Sequence, residues 1–178
     1  MAYVTTGLPT NGRTQFFNFQ YDAALSTARG LDLATDLMQH CDDHLALLAS
    51  WFSGRHLDMS PPIHVSLNTV ATDGAGNPTQ SPSGRWGRSG GPFPLQMTIN
   101  IGELQMLRGT APMLARYLLI SEVSEMYMRA FTVHGPNPWF RSSEGNKGEG
   151  LSRFLAAKFL VQTFPGIAAI PALTDLNL

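Results

Sequence analysis

Two glutamates three residues apart, Glu122 and Glu125, stand in the otherwise apolar stretch "LLISEVSEMYMRA" at residues 118–130. On a helix, carboxylates at that spacing lie about 60° apart around the axis and point to one side. Leu119, Val123 and Met126 border them, and Ser121 stands one turn before Glu125. In such surroundings a charged pair costs on the order of several kcal/mol unless cations, hydrogen bonds or a shared proton offset the lost hydration. The least demanding arrangement pairs Glu125 with Arg129 one turn on, and Glu122 with Arg116 or Arg141 through the fold.

A third carboxylate belongs with these two. In "EGNKGEGLSRFLAAKFL", residues 144–160, Glu149 opens a helical pattern 24 residues after Glu125 (149 − 125). With "SEVSE" ahead of it, the element resembles the zincin-like metallopeptidases, and in particular the gluzincin layout. There one helix carries HExxH, and a glutamate starting a following helix, often trailed by glycine and an apolar residue, is the third zinc ligand. Laid over that pattern, Ser121 takes the place of the first histidine, Glu122 that of the catalytic glutamate, Glu125 that of the second histidine and Glu149 that of the third ligand. More closely, "LLASWFSG", "MTINIG", "LISEVSEMYM" and "GNKGEGLSRFLA" in that order look like a group of small bacterial proteins of uncertain function, which carry AExxE-type helices and an NGEGLSR-type element. The likeness runs over about residues 22–164.

The departures from the pattern have a chemical meaning. Hydrolytic zinc is usually held by three protein ligands rich in imidazole with one position left for water. Ser121 is a poor zinc ligand, so Glu125 and Glu149 are the strong donors that remain. An oxygen-only pair suits Ca²⁺, Mg²⁺ or Mn²⁺ better than Zn²⁺, and only with further carbonyls or waters. No cofactor is therefore expected, with a divalent cation as the alternative. The resemblance implies a zincin-like domain that has lost its zinc site and serves as a binding or structural module. The opposing reading is a metal-dependent hydrolase with Glu122 as general base and Glu125 and Glu149 as ligands. A glycosidase-like carboxylate dyad is a third.

Histidine could return to such a site from elsewhere. His134 follows the carboxylate helix and is the nearest in sequence; His40 and His44, four apart with Asp43 beside them, have the spacing of a metal pair on a helix. His56 and His64 carry no further signal. Cys41 lies on the apolar stripe of its helix, which is the setting of an inert core thiol. No GxSxG elbow occurs. "SEGNKGEG" matches neither GxGxxG nor GxxxxGK[ST], and Glu144 and Glu149 would repel a phosphate while favourably opposing the helix dipole.

The elements that must position these groups follow from periodicity. Residues 13–21 alternate as a half-buried strand, and the period turns helical from Asp22, most clearly from Leu31 to Phe52, giving a long amphipathic helix, either continuous or broken near Gly30, with a C-cap at Gly54. Ile63, Val65 and Leu67 mark a strand after a double proline, and Leu95, Met97, Ile99 and Ile101 mark another. Residues 71–94 are rich in Gly, Pro and Ser and read as one long surface loop. Pro112 opens a helix to about Phe131, and "LSRFLAAKFLVQTF" forms the last one before Pro165. The expected fold is α+β: a small mixed or antiparallel sheet packed on a long N-terminal helix, an active-site-type helix and a C-terminal helix. It is expected as one domain over 1–178 with a short tail at 165–178.

Composition bounds the partners. Of the 178 residues 43% are hydrophobic and 14% charged, as in packed globular proteins, and a net charge of -1 supplies no basic stripe for nucleic acid or an anionic membrane. One cysteine excludes an internal disulfide. No apolar run has signal-peptide or membrane-span length, so a cytoplasmic chain, or one exported without a cleaved signal, is expected. A protein partner or self-association is expected, with Trp86, Phe93, Trp139 and Phe140 as contact residues.

Overall fold

The structure, a computed structural model, describes residues 2–23, 27–54, 57, 62–69, 83–88, 95–101, 111–132 and 149–164; of 27–29, 69, 129–132 and 149 it describes the backbone alone. Among the described residues, five strands and three α-helices form a mixed α+β fold. In chain order they are β1 (Tyr3–Val4), β2 (Phe17–Asp22), α1 (Thr27–Trp51), β3 (Ile63–Thr69), β4 (Ser83–Arg88), β5 (Leu95–Ile101), α2 (Ala111–Thr132) and α3 (Glu149–Thr163). The sheet order is β1-β2-β3-β5-β4. β2, β3 and β5 are parallel, and β1 and β4 close the two ends antiparallel.

Period-two sequence makes the sheet two-sided. Across the strands, Phe19, Val65, Met97 and Trp86 stand in one row and Tyr21, Leu67, Ile99 and Gly84 in the next. These rows face α1 and α2 and form the core. The other face is polar, with Gln20, Ser66, Thr98 and Arg85 in register, then Asn68, Asn100 and Ser83. Gln20 donates to Ser66 at 2.8 Å, Asn68 to Asn100 at 3.2 Å and Asn100 to Ser83 at 3.0 Å.

The helices lock onto this frame by named contacts. Asp42 of α1 accepts from the Thr14 hydroxyl at 2.9 Å and from the Gln15 N–H at 2.9 Å, fixing the approach to β2. The rings of Phe52 and Tyr127 stack 4.7 Å apart between the C-terminal ends of α1 and α2. Arg116 of α2 meets Asp36 of α1 at 2.5 Å, and its guanidinium lies 4.6 Å from the Phe164 ring centre. Gly54, at φ 69°, ends α1 in the left-handed region, where glycine adopts the turn without strain.

Of the two alternatives at Gly30 the continuous helix is the one formed: α1 runs unbroken through it, because a lone glycine weakens a helix by only about 1 kcal/mol and packing against β2 and α2 outweighs that. One expectation is corrected. Within the tract expected to be one loop, Ser83–Arg88 is a strand paired along its length with β5; its two glycines mask the strand pattern. The remainder of 71–94, with Phe93, lies outside the described residues, as do Trp139, Phe140, residues 133–148 and the tail. No helix among the described residues is long and apolar enough to cross a membrane.

Candidate functional site

α2 is helical because it holds no internal glycine or proline beyond its first turn and is built of Leu, Met, Ala, Glu and Tyr. It is buried on nearly every side, so its polar residues need protein partners. Ser121 and Glu125, one turn apart, face α3. The Ser121 hydroxyl donates to the Ser152 oxygen at 3.1 Å, and Ser152 donates onward to Oε1 of Glu125 at 3.0 Å. The other carboxylate oxygen, Oε2, accepts from the Trp86 indole N–H at 3.2 Å. One carboxylate thus joins α2, α3 and β4.

Ser152 has no accessible surface and Ser121 is 4% exposed, whereas Glu125 is half-buried. Ser152 lies on the inner side of α3 with Ala156, Phe159 and Leu160, a small residue that lets the two helices approach while carrying a hydroxyl. Ser124 satisfies itself locally by donating to the Ile120 carbonyl at 2.7 Å.

Glu122, 7% exposed, lies over β4 as well. A Cβ built on Gly84 would stand 2.6 Å from its Oε1 and 2.7 Å from its Cγ. The glycine is what admits the carboxylate between helix and strand. Gly84 and Trp86 share a strand face, so Glu122 meets the one and Glu125 the other as α2 passes over β4.

The expected site residues therefore divide. Glu122 and Glu125 come together above β4. Glu149 begins α3, the helix that bonds to Glu125 through Ser152, but its side chain lies outside the described residues, as does His134. The Arg129 and Arg141 side chains fall there too. Arg116 pairs with Asp36 and not with Glu122: six residues earlier on the helix, it points about 120° away around the axis. Among the described residues no three His, Cys, Asp or Glu side chains form a metal-binding group.

His40 and His44 do lie side by side, ring centres 5.7 Å apart. His44 packs edge-on against Phe159 at 5.2 Å and Phe164 at 5.8 Å. Burial pushes its pKa down to about 4, with the charges of Arg116 and His40 acting the same way and Asp43 opposing. This is the chemistry of a packed neutral imidazole. Cys41 is a core thiol, pushed up to about 12 mainly by burial and then by the neighbouring Asp42.

Ser152 and Trp86 carry the site and were not singled out for it by sequence. A serine among apolar inner-face positions of "GLSRFLAAKFL" was the available signal for the first. For Trp86, expected as an exposed contact residue, the glycine-rich setting hid the strand that turns its indole inward to a half-buried position. Comparison of the chain with protein-family models, curated proteins and solved structures finds no match.

Proposed function

We propose that this chain is a zincin-like domain without the zinc-binding histidines, working as a non-peptidase binding or structural module. The observation that carries the proposal is the bonding of Glu125. Ser121 and Glu125, at the two positions where HExxH has its histidines, are bridged by the Ser152 hydroxyl, and the second oxygen of Glu125 takes the Trp86 indole. Both Glu125 oxygens here accept from protein donors, and Ser121 donates to Ser152. That arrangement welds two helices and the last strand of the sheet together, and it leaves the carboxylate with a structural task. The start of α3 at Glu149, against the carboxylate helix, supports the zincin-like layout.

The opposing reading, a hydrolase with a carboxylate-bound cation and Glu122 as base, differs in a direct measurement. Protein purified without a histidine tag is analysed for metal and melted with EDTA and with added Zn²⁺, Mn²⁺ or Ca²⁺. The module contains no stoichiometric metal and melts at the same temperature throughout. One equivalent of bound metal, or a melting point that drops on chelation, overturns it in favour of the enzyme.

A further inference from the structure

Asn11 and Gly12 are the one Asn-Gly pair in the chain. They end a tight turn, Pro9–Gly12, on the connection from β1 to β2. Such a pair carries its own chemistry. The Gly12 amide nitrogen attacks Cγ of Asn11, an N–C bond forms, and the side-chain nitrogen leaves as ammonia, taking up the proton that Gly12 loses. Water then adds to one carbonyl or the other of the cyclic imide, which opens to aspartate or to isoaspartate, whose main chain runs through the former side chain. A following glycine favours the attack, because no Cβ hinders the nitrogen.

Asn11 is exposed, so burial does not protect it. Its backbone does. Asn11 lies in the left-handed region at φ 54° and ψ 37°, directly after Thr10 at φ 47° and ψ 30°. Ring closure needs the Gly12 nitrogen eclipsed with the Asn11 Cβ about the Cα–C bond. In an L residue, a ψ of 37° puts that nitrogen almost opposite the Cβ. Bringing it round means swinging Gly12 through nearly half a turn, and Gly12 is held. It is buried at φ 83°, where a Cβ built on it would stand 2.2 Å from the Phe19 carbonyl oxygen and 3.2 Å from Cδ1 of Leu8. The Asn11 N–H donates to the Leu8 carbonyl at 3.2 Å, the Arg13 N–H to the Thr10 carbonyl at 3.2 Å, and the Thr10 hydroxyl to the Arg13 carbonyl. Leu8 belongs to the core, and the Tyr21 hydroxyl donates to the Thr6 carbonyl at 2.7 Å.

We infer that Asn11 is a self-modification site gated by the fold: its amide persists while residues 8–13 stay seated against β2, and it deamidates when that arm lifts. The rate in the folded chain is then the rate of the open chain multiplied by the fraction of time the arm is open. The step also makes the opening permanent. Isoaspartate adds a methylene to the main chain between Thr10 and Gly12, and the turn that seats Gly12 under the Phe19 carbonyl has no room for it. The Glu125 network meets the sheet at its opposite end, on β4, so this inference stands or falls apart from the proposed function.

The test incubates the full chain at mildly alkaline pH, folded and in urea, and follows the tryptic peptide ending at Arg13 by mass spectrometry for conversion of amide to acid. Asn11 deamidates in urea and at least about tenfold more slowly in the folded chain. Two variants loosen the arm and leave the Asn-Gly pair intact: Tyr21→Phe removes the donor to Thr6, and Leu8→Ala empties the core beneath the turn. Each speeds the reaction several-fold while the chain still melts above the incubation temperature; should Leu8→Ala not fold, Tyr21→Phe decides. In chains carrying isoaspartate at position 11, the Arg13 amide loses its protection from hydrogen exchange. Equal rates in the folded chain and in urea, or no reaction in urea, overturn the inference. So does a folded Tyr21→Phe chain that deamidates no faster than the natural one, and so does an Arg13 amide that stays protected after isoaspartate forms.

Discussion

Ser152 donates a hydrogen bond to Glu125 across the α2–α3 contact at 3.0 Å, from a position with no exposed surface. Because Ser121 in turn donates to Ser152, the hydroxyl is acceptor and donor at once. Removing it strands a donor on one side and a carboxylate oxygen on the other.

Ser152→Ala is accordingly expected to destabilise the fold by about 1 to 3 kcal/mol, the usual cost of leaving buried polar groups without partners. Urea denaturation measures it. The double change Ser121→Ala and Ser152→Ala should cost less than the sum of the singles, because the stranded donor is removed as well. Additive losses would mean that the chain of bonds does not exist.

Trp86→Phe keeps most of the ring's packing and removes the indole donor to Glu125. The expected loss is about 1 to 2 kcal/mol. In a Glu125→Gln background the same change should cost less, since a hydrogen bond to a charged acceptor is the stronger kind. Denaturation of the four proteins in the cycle gives the coupling, and a coupling of zero would place the indole elsewhere.

Gly84→Ala puts a methyl into the Glu122 carboxylate. Overpacking of this kind costs about 1 to 3 kcal/mol. Shortening the glutamate should relieve it, so that Gly84→Ala is better tolerated in a Glu122→Ala chain than in the natural one. Equal penalties in both backgrounds would show that strand geometry, and not the side chain above it, requires the glycine.

His44 makes stability depend on pH. Its pKa is pushed from 6.5 to about 4 by burial first, then by Arg116 and His40 against Asp43. Between those values the unfolded chain binds a proton that the folded chain refuses, so stability falls as pH is lowered through that window and is unaffected by this group above it. With allowance for its part exposure to solvent, the loss is about 1 to 2 kcal/mol. Melting curves from pH 7 to pH 4 should show it, and His44→Gln should flatten the slope. An unchanged slope would assign the effect to other groups.

Cys41 is buried beside Thr14, with its thiol pushed up to about 12. At mildly alkaline pH it should react with a disulfide reagent only as fast as the fold opens, and at once in urea. Prompt reaction of the folded chain would contradict its placement in the core.

The legible parts of the sequence were those where one period dominates. Ile63, Val65 and Leu67 alternate cleanly and became β3, and Leu95–Ile101 became β5 to the residue. α2, with an early proline and no breaker afterwards, runs within a residue of its expected limits. The parallel pairing of β2 with β3 and of β3 with β5 was not legible, since pairing depends on contacts far apart in the chain. β4 was hidden because its strand character comes from its neighbours: β5 supplies the ladder, and α2 requires a glycine at position 84 and a donor at position 86. The carboxylates were legible as a problem of buried charge. Their partners were not, since a serine on another helix and a tryptophan on another strand share no spacing with them.

The amides on the polar face of the sheet also bear on its register. Asn100 reaches Asn68 on one side and Ser83 on the other, crossing three strands in a single rung. Sliding β5 by one residue would bring Ile99 or Ile101 to that rung and turn Asn100 toward the core, and sliding β4 would put Gly84 where Ser83 accepts. The rung therefore works as a key cut for one alignment, and it lets a strand with two glycines and little grip of its own find its place beside β5.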